Sequence, residues 1–200
     1  MKTNKWIYAI VIAALGWVAC DDDDDNILGK PSLNDTDETF VEVAARGNMA
    51  EIEFGELAAT KATDSLVRAF AQQMVNEHTT AQNELEDLAD DYAGVEWPND
   101  LDEGHDEIME ELNNAEGYSF DTLFMKKQVE MHEASASVYQ TATTNTTDVR
   151  VKAYANKYLP RIEAHLEQAD SIETLIITDA DMDDGAEDGT DDETDDGTTD

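Results

Sequence analysis

The chain has 200 residues, a length that fits one domain with flanking tails. Its 48 acidic and 12 basic residues give a formal net charge of -36 at pH 7, which excludes a nucleic-acid-binding surface because such a surface must attract phosphate. Cys20 is the single cysteine, so an intrachain disulfide is excluded as well.

Residues 1–19 are predicted to be a secretion signal. A short basic leader precedes an apolar stretch over residues 6–19, which is shorter than the roughly 20 residues that a membrane-spanning helix needs. The stretch ends at Val18-Ala19-Cys20, which resembles the lipobox of bacterial lipoproteins. That resemblance implies cleavage before Cys20, with a lipid on its sulfur as the contact with the membrane. The alternative is an ordinary signal with an incidental cysteine.

Residues 20–36 are predicted to be an acidic tether. Five consecutive aspartates at 21–25 repel one another and should keep this segment extended. An acidic run directly after the lipid-bearing cysteine resembles the surface-export signal of Bacteroidota lipoproteins, and a plain solubilising spacer is the alternative. The protein is therefore expected in the cell envelope, anchored by its lipid at the outer membrane. The sequence is compatible with either the periplasmic or the surface-exposed face.

Residues 37–176 are predicted to form the ordered domain. Apolar residues recur at helical spacing in four long segments, about 37–61, 64–93, 119–143 and 148–176, and a shorter helix fits about 102–114. In the first segment the residues of the apolar stripe are Phe40, Val43, Gly47, Ala50, Phe54 and Leu57. Pro160 predicts a kink or a split in the last segment, because proline cannot donate a backbone hydrogen bond.

Each predicted helix has an apolar stripe on one face, so each needs neighbours to bury it. Four such helices with mostly short links predict an all-α, antiparallel four-helix bundle, with the short helix in the connection between the second and third long helices. Residues 177–200 are predicted to be a disordered acidic tail, because the segment from 179 onward holds twelve acidic residues and no basic one.

Three of the four histidines point to a metal site. His78, His132 and His165 lie on the apolar stripes of three different helices, each near its midpoint, and midpoints share a level in an up-down bundle. On the first helix, Glu51 lies at the edge of the apolar face and is the candidate fourth group. Imidazoles with one carboxylate suit Zn²⁺, Fe²⁺, Mn²⁺ or Cu²⁺.

The alternative is that these histidines are structural polar residues, with the flanking Glu77, Glu133 and Glu163 as outer partners. His105 lies among acidic residues of the short helix and is predicted to be solvated. The sequence has no glycine-rich phosphate loop and no serine elbow, so no catalytic residue is assigned.

Several short motifs in a fixed order resemble the ferritin-like family called domain of unknown function 4142, found in predicted bacterial outer-membrane proteins. The resemblance covers about 37–173 and rests on residues 40–41, 44–45, 47–53, 57–58, 70–72, 74–78, 120–121, 132, 159–160 and 163–165. It implies an exported, ferritin-like four-helix bundle without an assigned activity. The Glu-x-x-His pattern of di-iron ferritin-like proteins is absent, since Val75, Val129 and Ile162 precede the three histidines by three residues.

Three functions are compatible with these features. The first is a membrane-anchored binding module of unknown ligand, metal-binding or stress-linked. The second is a metalloenzyme with a mononuclear or atypical dinuclear His/Glu site, and the third is a purely structural surface protein. No feature of the sequence indicates a protein partner.

Overall fold

The computed structural model describes residues 29–184, without the side chains of 179–184. Its five helices are α1 (Asp35–Lys61), α2 (Ser65–Ala89), α3 (Glu103–Asn114), α4 (Gly117–Asn145) and α5 (Val149–Asp184). The described residues include no strand, so the prediction of an all-α bundle with one short extra helix is confirmed. The predicted signal peptide, Cys20, most of the tether and most of the acidic tail lie outside the described residues.

Side-chain caps determine where four of the five described helices begin, and α4 begins without one. Asn34 Oδ1 accepts hydrogen bonds from two backbone amides of the first turn of α1, at 2.9 and 3.1 Å. Asp64, Asp102 and Asp148 cap α2, α3 and α5 in the same way. These short side chains satisfy amides that a helix leaves unpaired at its start.

The ends of two helices differ from the predicted ones. α2 ends at Ala89, short of residue 93, and the chain then turns so that the amide of Ala93 donates to the carbonyl of Pro31 at 2.8 Å. α5 continues to Asp184, beyond the predicted end at 176, so residues 177–184 are helical and the prediction that the disordered tail begins at 177 was wrong. Pro160 lies inside α5 and does not split it, since the helix packs against the core on both sides of the proline.

Two buried aspartates join the two helical hairpins α1/α2 and α4/α5. Asp37 of α1 accepts hydrogen bonds from the amides of Thr147 and Asp148, at 3.0 and 2.9 Å, in the turn between α4 and α5. Asp121 of α4 accepts them from the amides of Thr63 and Asp64, at 3.0 and 2.8 Å, in the turn between α1 and α2. Each hairpin therefore caps the turn of the other.

This reciprocal capping defines the relative directions of the four long helices. α1 begins beside the turn where α4 ends, and α4 begins beside the turn where α1 ends, so neighbouring helices in the bundle are antiparallel. α2 and α4 consequently run in the same direction, and the connection between them must cross the length of the bundle. It crosses over α1 and α4, where Lys61 Nζ donates to the carbonyl of Leu112 at 3.0 Å and Lys127 pairs with Glu111.

The two hairpins are also related in sequence. The motif Thr-Asp-x-x-Val-x-Ala-aromatic-Ala occurs at 63–71 and again at 147–155, and the capping aspartates and the phenylalanines three residues after them recur at the same constant spacing. The bundle is therefore built from two copies of one helical hairpin. This internal repeat was not recognised in the sequence, because the rest of the two copies differs.

The core divides into two apolar clusters with a polar layer between them. One cluster includes Phe40, Leu85 and Tyr154, and the other includes Phe54, Phe70 and Phe124. The buried polar residues between them are Asn48, Glu51, His78, Gln128, His132 and His165. None of the described helices has an apolar stretch long enough to cross a membrane.

Candidate metal centre

The three histidines of the polar layer converge, as predicted. His78 on α2, His132 on α4 and His165 on α5 are 8%, 1% and 4% exposed. Their ring centroids form a nearly equilateral triangle with sides of 5.8, 5.6 and 5.4 Å. One nitrogen from each ring lies within 4.8 Å of the other two.

A chain of hydrogen bonds through Tyr154 and Asn48 determines which nitrogen of His78 carries the proton. Tyr154 donates to the carbonyl of Ala81 at 3.2 Å, and Asn48 Nδ2 donates to the Tyr154 hydroxyl at 3.2 Å. Asn48 Oδ1 is then an acceptor, 3.0 Å from His78 Nδ1. The proton of His78 is therefore on Nδ1, and its Nε2 carries a lone pair.

The other two rings are oriented by acceptors as well. His132 Nδ1 lies 2.9 Å from the carbonyl oxygen of Gln128, which can only accept. His165 Nε2 lies 3.1 Å from Oε2 of Glu77, whose other carboxylate oxygen accepts from Gln73 at 3.0 Å. Both of these ring nitrogens therefore carry the proton, which leaves His132 Nε2 and His165 Nδ1 with lone pairs.

These three lone-pair nitrogens have no hydrogen-bond partner within the described residues. His78 Nε2, His132 Nε2 and His165 Nδ1 are all buried. A buried polar atom without a partner costs about 1–3 kcal/mol, so three in one place need an explanation. A metal ion accepts lone pairs from such nitrogens, and the outer hydrogen bonds on the opposite nitrogens are those that orient histidine ligands.

Burial favours the neutral form of two of the imidazoles, His78 and His165. It lowers the pKa of His78 well below the usual value, and the neighbouring rings of His132 and His165 lower it further. Burial also lowers the pKa of His165, again with His132 adding to the effect. Neutral histidine is the form that binds metal, so proton competition for these two lone pairs is weak at neutral pH.

Glu51, the fourth candidate, lies beside the triangle. Its carboxylate is 4% exposed, and Oε1 is 3.6 Å from His132 Nδ1, the nitrogen that bonds the Gln128 carbonyl. The group of mutually close ligand atoms contains the three histidines and does not include Glu51. Burial raises the pKa of Glu51, opposed by the nearby His132. Glu51 therefore approaches His132 at Nδ1, the nitrogen that carries the proton.

The prediction that His105 is solvated was wrong. Its side chain is only 22% exposed, with Nδ1 2.9 Å from Asp102 and its ring 6.3 Å from that of Phe54. The reason is that α3 lies over α1, which the sequence pattern of α3 alone does not reveal. Of the three predicted outer partners, Glu77 contacts His165, whereas Glu133 and Glu163 are exposed.

Sequence reasoning missed Asn48, the residue of α1 that fixes His78. The predicted stripe placed Val43 in the core, but Val43 is 43% exposed, and Asn48 is buried at 3%. A signal was available, because Asn48 and Glu51 lie three residues apart and so share a helix face.

Comparisons with known proteins agree with this fold. A family model described as a domain of unknown function, DUF4142, matches residues 25–172. A search of curated proteins finds no significant match.

Three solved structures share the fold. A DUF305 fragment from Deinococcus radiodurans matches with a TM-score of 0.63 and 10% identity, over 72% of this chain and 99% of that one. A structure described as CopM in the Cu(II)-bound form has a TM-score of 0.60 and 17% identity, over 69% and 95%. A putative secreted DUF305 protein from Streptomyces coelicolor has a TM-score of 0.56 and 13% identity, over 78% and 98%.

Proposed function

We propose that this chain, which belongs to the DUF4142 family, is an exported cell-envelope protein that binds one transition-metal ion between His78, His132 and His165. The observation that carries the proposal is the set of three buried lone-pair nitrogens on three helices. In a purely structural role each histidine needs partners for both nitrogens, and each has a partner for only one.

The ligand set favours Cu²⁺ and Zn²⁺ over Fe²⁺ and Mn²⁺. Imidazole nitrogen suits copper and zinc, whereas manganese prefers carboxylate and carbonyl oxygen. Glu51, the carboxylate nearest to His132, is not part of the mutually close group. The fold similarity to a protein described in a Cu(II)-bound form is consistent with copper but does not assign the metal.

The outer hydrogen bonds support metal retention in this proposal. Asn48, the Gln128 carbonyl and Glu77 each hold the proton of one ring on one nitrogen, which leaves the lone pair on the other nitrogen. The carboxylate of Glu77 also makes His165 a stronger donor, because it stabilises positive charge on the imidazole. The three imidazole rings are therefore oriented before an ion binds.

A metalloenzyme is the second candidate function. It is favoured by a cavity of about 180 Å³ that the three histidines line together. Three protein ligands with an open fourth position are typical of catalytic zinc sites, whereas structural zinc sites have four protein ligands.

Metal content is the direct test of the binding function. Protein purified without chelator and incubated with Cu²⁺ or Zn²⁺ should retain one ion per chain after desalting. Because only the folded state binds tightly, an ion at 100 times its dissociation constant should add about 2.7 kcal/mol to the stability, visible as a higher Tm. Protein that keeps no ion and melts at an unchanged temperature would contradict the proposal.

The cellular location of the protein is a separate part of the proposal. We infer lipidation at Cys20 and a location at the outer membrane from the apolar leader and the Val18-Ala19-Cys20 motif. One structural neighbour is described as a putative secreted protein, which is consistent with export. Cells that express the full chain should incorporate radioactive fatty acid into it, and Cys20→Ala should abolish the label. An unlabelled wild-type protein would rule out the lipid anchor.

A further inference from the structure

A cavity adjoins the three histidines, and most of its wall is apolar. It has a volume of about 180 Å³, far above the roughly 10–15 Å³ that a single water molecule needs. His78, His132 and His165 line it together with apolar side chains of α1, α4 and α5, among them Ala44, Val138 and Ile162. An apolar wall offers water few hydrogen-bond partners, and it is typical of sites that bind small molecules.

Gly47 contributes to the open space. It lies in the middle of α1 and lines the cavity, and a Cβ added there would have no atom within 4 Å. A glycine inside a helix costs about 0.5–1 kcal/mol relative to alanine. Gly55, on the same helix, is explained by packing, since a Cβ there would lie 2.8 Å from a methyl of Val75. No such contact explains Gly47.

A polar group and an entrance complete the cavity. Tyr158 is 4% exposed and lines the cavity, and burial followed by the neighbouring carboxylate of Glu84 raises the pKa of its hydroxyl. Val43 lines the cavity as well and is 43% exposed, so the cavity opens to solvent beside it. A ligand inside can thus meet apolar walls and the three imidazoles.

We infer that this cavity binds a small organic molecule with a mainly apolar body of a few carbon atoms and one donor atom that coordinates the metal. The inference rests on the proposed metal site, whose three protein ligands leave a coordination position open. The apolar walls receive the body of the ligand, and Gly47 leaves the room for it.

The test uses 4-alkylimidazoles as probes of the Co²⁺-loaded protein. Cobalt accepts the same imidazole ligands as zinc, and its visible absorption reports a change in coordination. Imidazole, 4-methylimidazole and 4-ethylimidazole should each shift the spectrum, and affinity should rise about fourfold for each methylene that the apolar wall buries. The ion itself is assayed before and after each titration, so loss of cobalt is not mistaken for binding.

Two variants that fill the cavity provide the structural control. Gly47→Phe should weaken the binding of 4-ethylimidazole at least tenfold, and Val43→Trp should do the same at the entrance. Glu56→Phe adds the same ring on the exposed side of α1 and should bind the probe like the wild-type protein. Folding of each variant is checked by circular dichroism and by its cobalt content.

The outcomes separate this inference from the proposed function. Wild-type protein that takes up no metal contradicts both. Protein that binds cobalt stoichiometrically but shows equal affinity for the three probes contradicts the apolar ligand site alone. Unchanged probe affinity in both folded, cobalt-loaded variants also overturns it, because the probe must then bind elsewhere.

Discussion

Replacement of His132 by alanine is expected to reduce Cu²⁺ or Zn²⁺ affinity by more than about 100-fold. Loss of an outer partner of a ligand typically costs 10–100-fold, and loss of one of three ligands must cost more. His132 is also the least exposed of the three rings, at 1%, and no fourth histidine of the described residues belongs to the mutually close group that could replace it. Competition with a chromophoric chelator measures the affinity of the variant and of the wild-type protein.

His105→Ala is the matched control for this experiment. His105 is partly buried and lines the same cavity, but it is not in the mutually close group. We expect its removal to leave metal stoichiometry unchanged. Because His132→Ala leaves a hole in the core, His132→Gln, which has a similar volume and polarity, is made in parallel. Wild-type affinity in both His132 variants would show that the ion binds elsewhere.

Replacement of Asp121 by alanine is expected to lower the free energy of unfolding by about 3–5 kcal/mol. Asp121 is 2% exposed and accepts three hydrogen bonds from the backbone amides of Thr63 and Asp64 and one from the Thr63 hydroxyl. Hydrogen bonds to a charged group contribute about 1.5–3 kcal/mol each and are not additive. The amides would lose their partner in the variant, since the turn is packed against α4. For a chain of this size the change corresponds to a Tm lowered by roughly 10 °C.

The equivalent residue of the other hairpin provides an internal check. Asp37 is 1% exposed and bonds Thr147 and Asp148 in the same manner, so Asp37→Ala should destabilise the protein to a similar degree. Asp87→Ala, at an exposed position of α2, should change stability by less than about 0.5 kcal/mol. Urea unfolding followed by circular dichroism measures all three. If the two capping variants unfold like Asp87→Ala, the reciprocal capping does not hold the hairpins together.

The apolar stripes predicted the helices well in their interiors and less well at their ends. Helix interiors depend on a period of 3.6 residues that a single segment contains. The end of α2 depends instead on the connection that follows it, where the amide of Ala93 donates to the carbonyl of Pro31, a residue distant in sequence. The start of α1 depends on its N-cap residue Asn34, a local signal that the apolar stripe does not contain.

The candidate site was predicted in part. Placing His78, His132 and His165 on buried faces near helix midpoints required only the period of each helix and the assumption that midpoints share a level. The rotation of α1 about its own axis was predicted less well, because Gly47 and several alanines blur its apolar face. For this reason Val43 was assigned to the core and Asn48 was overlooked.

The sequence by itself determined that the chain is helical, that its helices pair into a bundle, and that three imidazoles face the interior. Those properties follow from local periodicity, which each segment carries independently. Only the tertiary structure decided which nitrogen of each ring is free, that two aspartates cap the opposite turns, and that α3 brings His105 to the cavity. These depend on the rotation and the axial register of one helix relative to another, and side chains distant in sequence determine both.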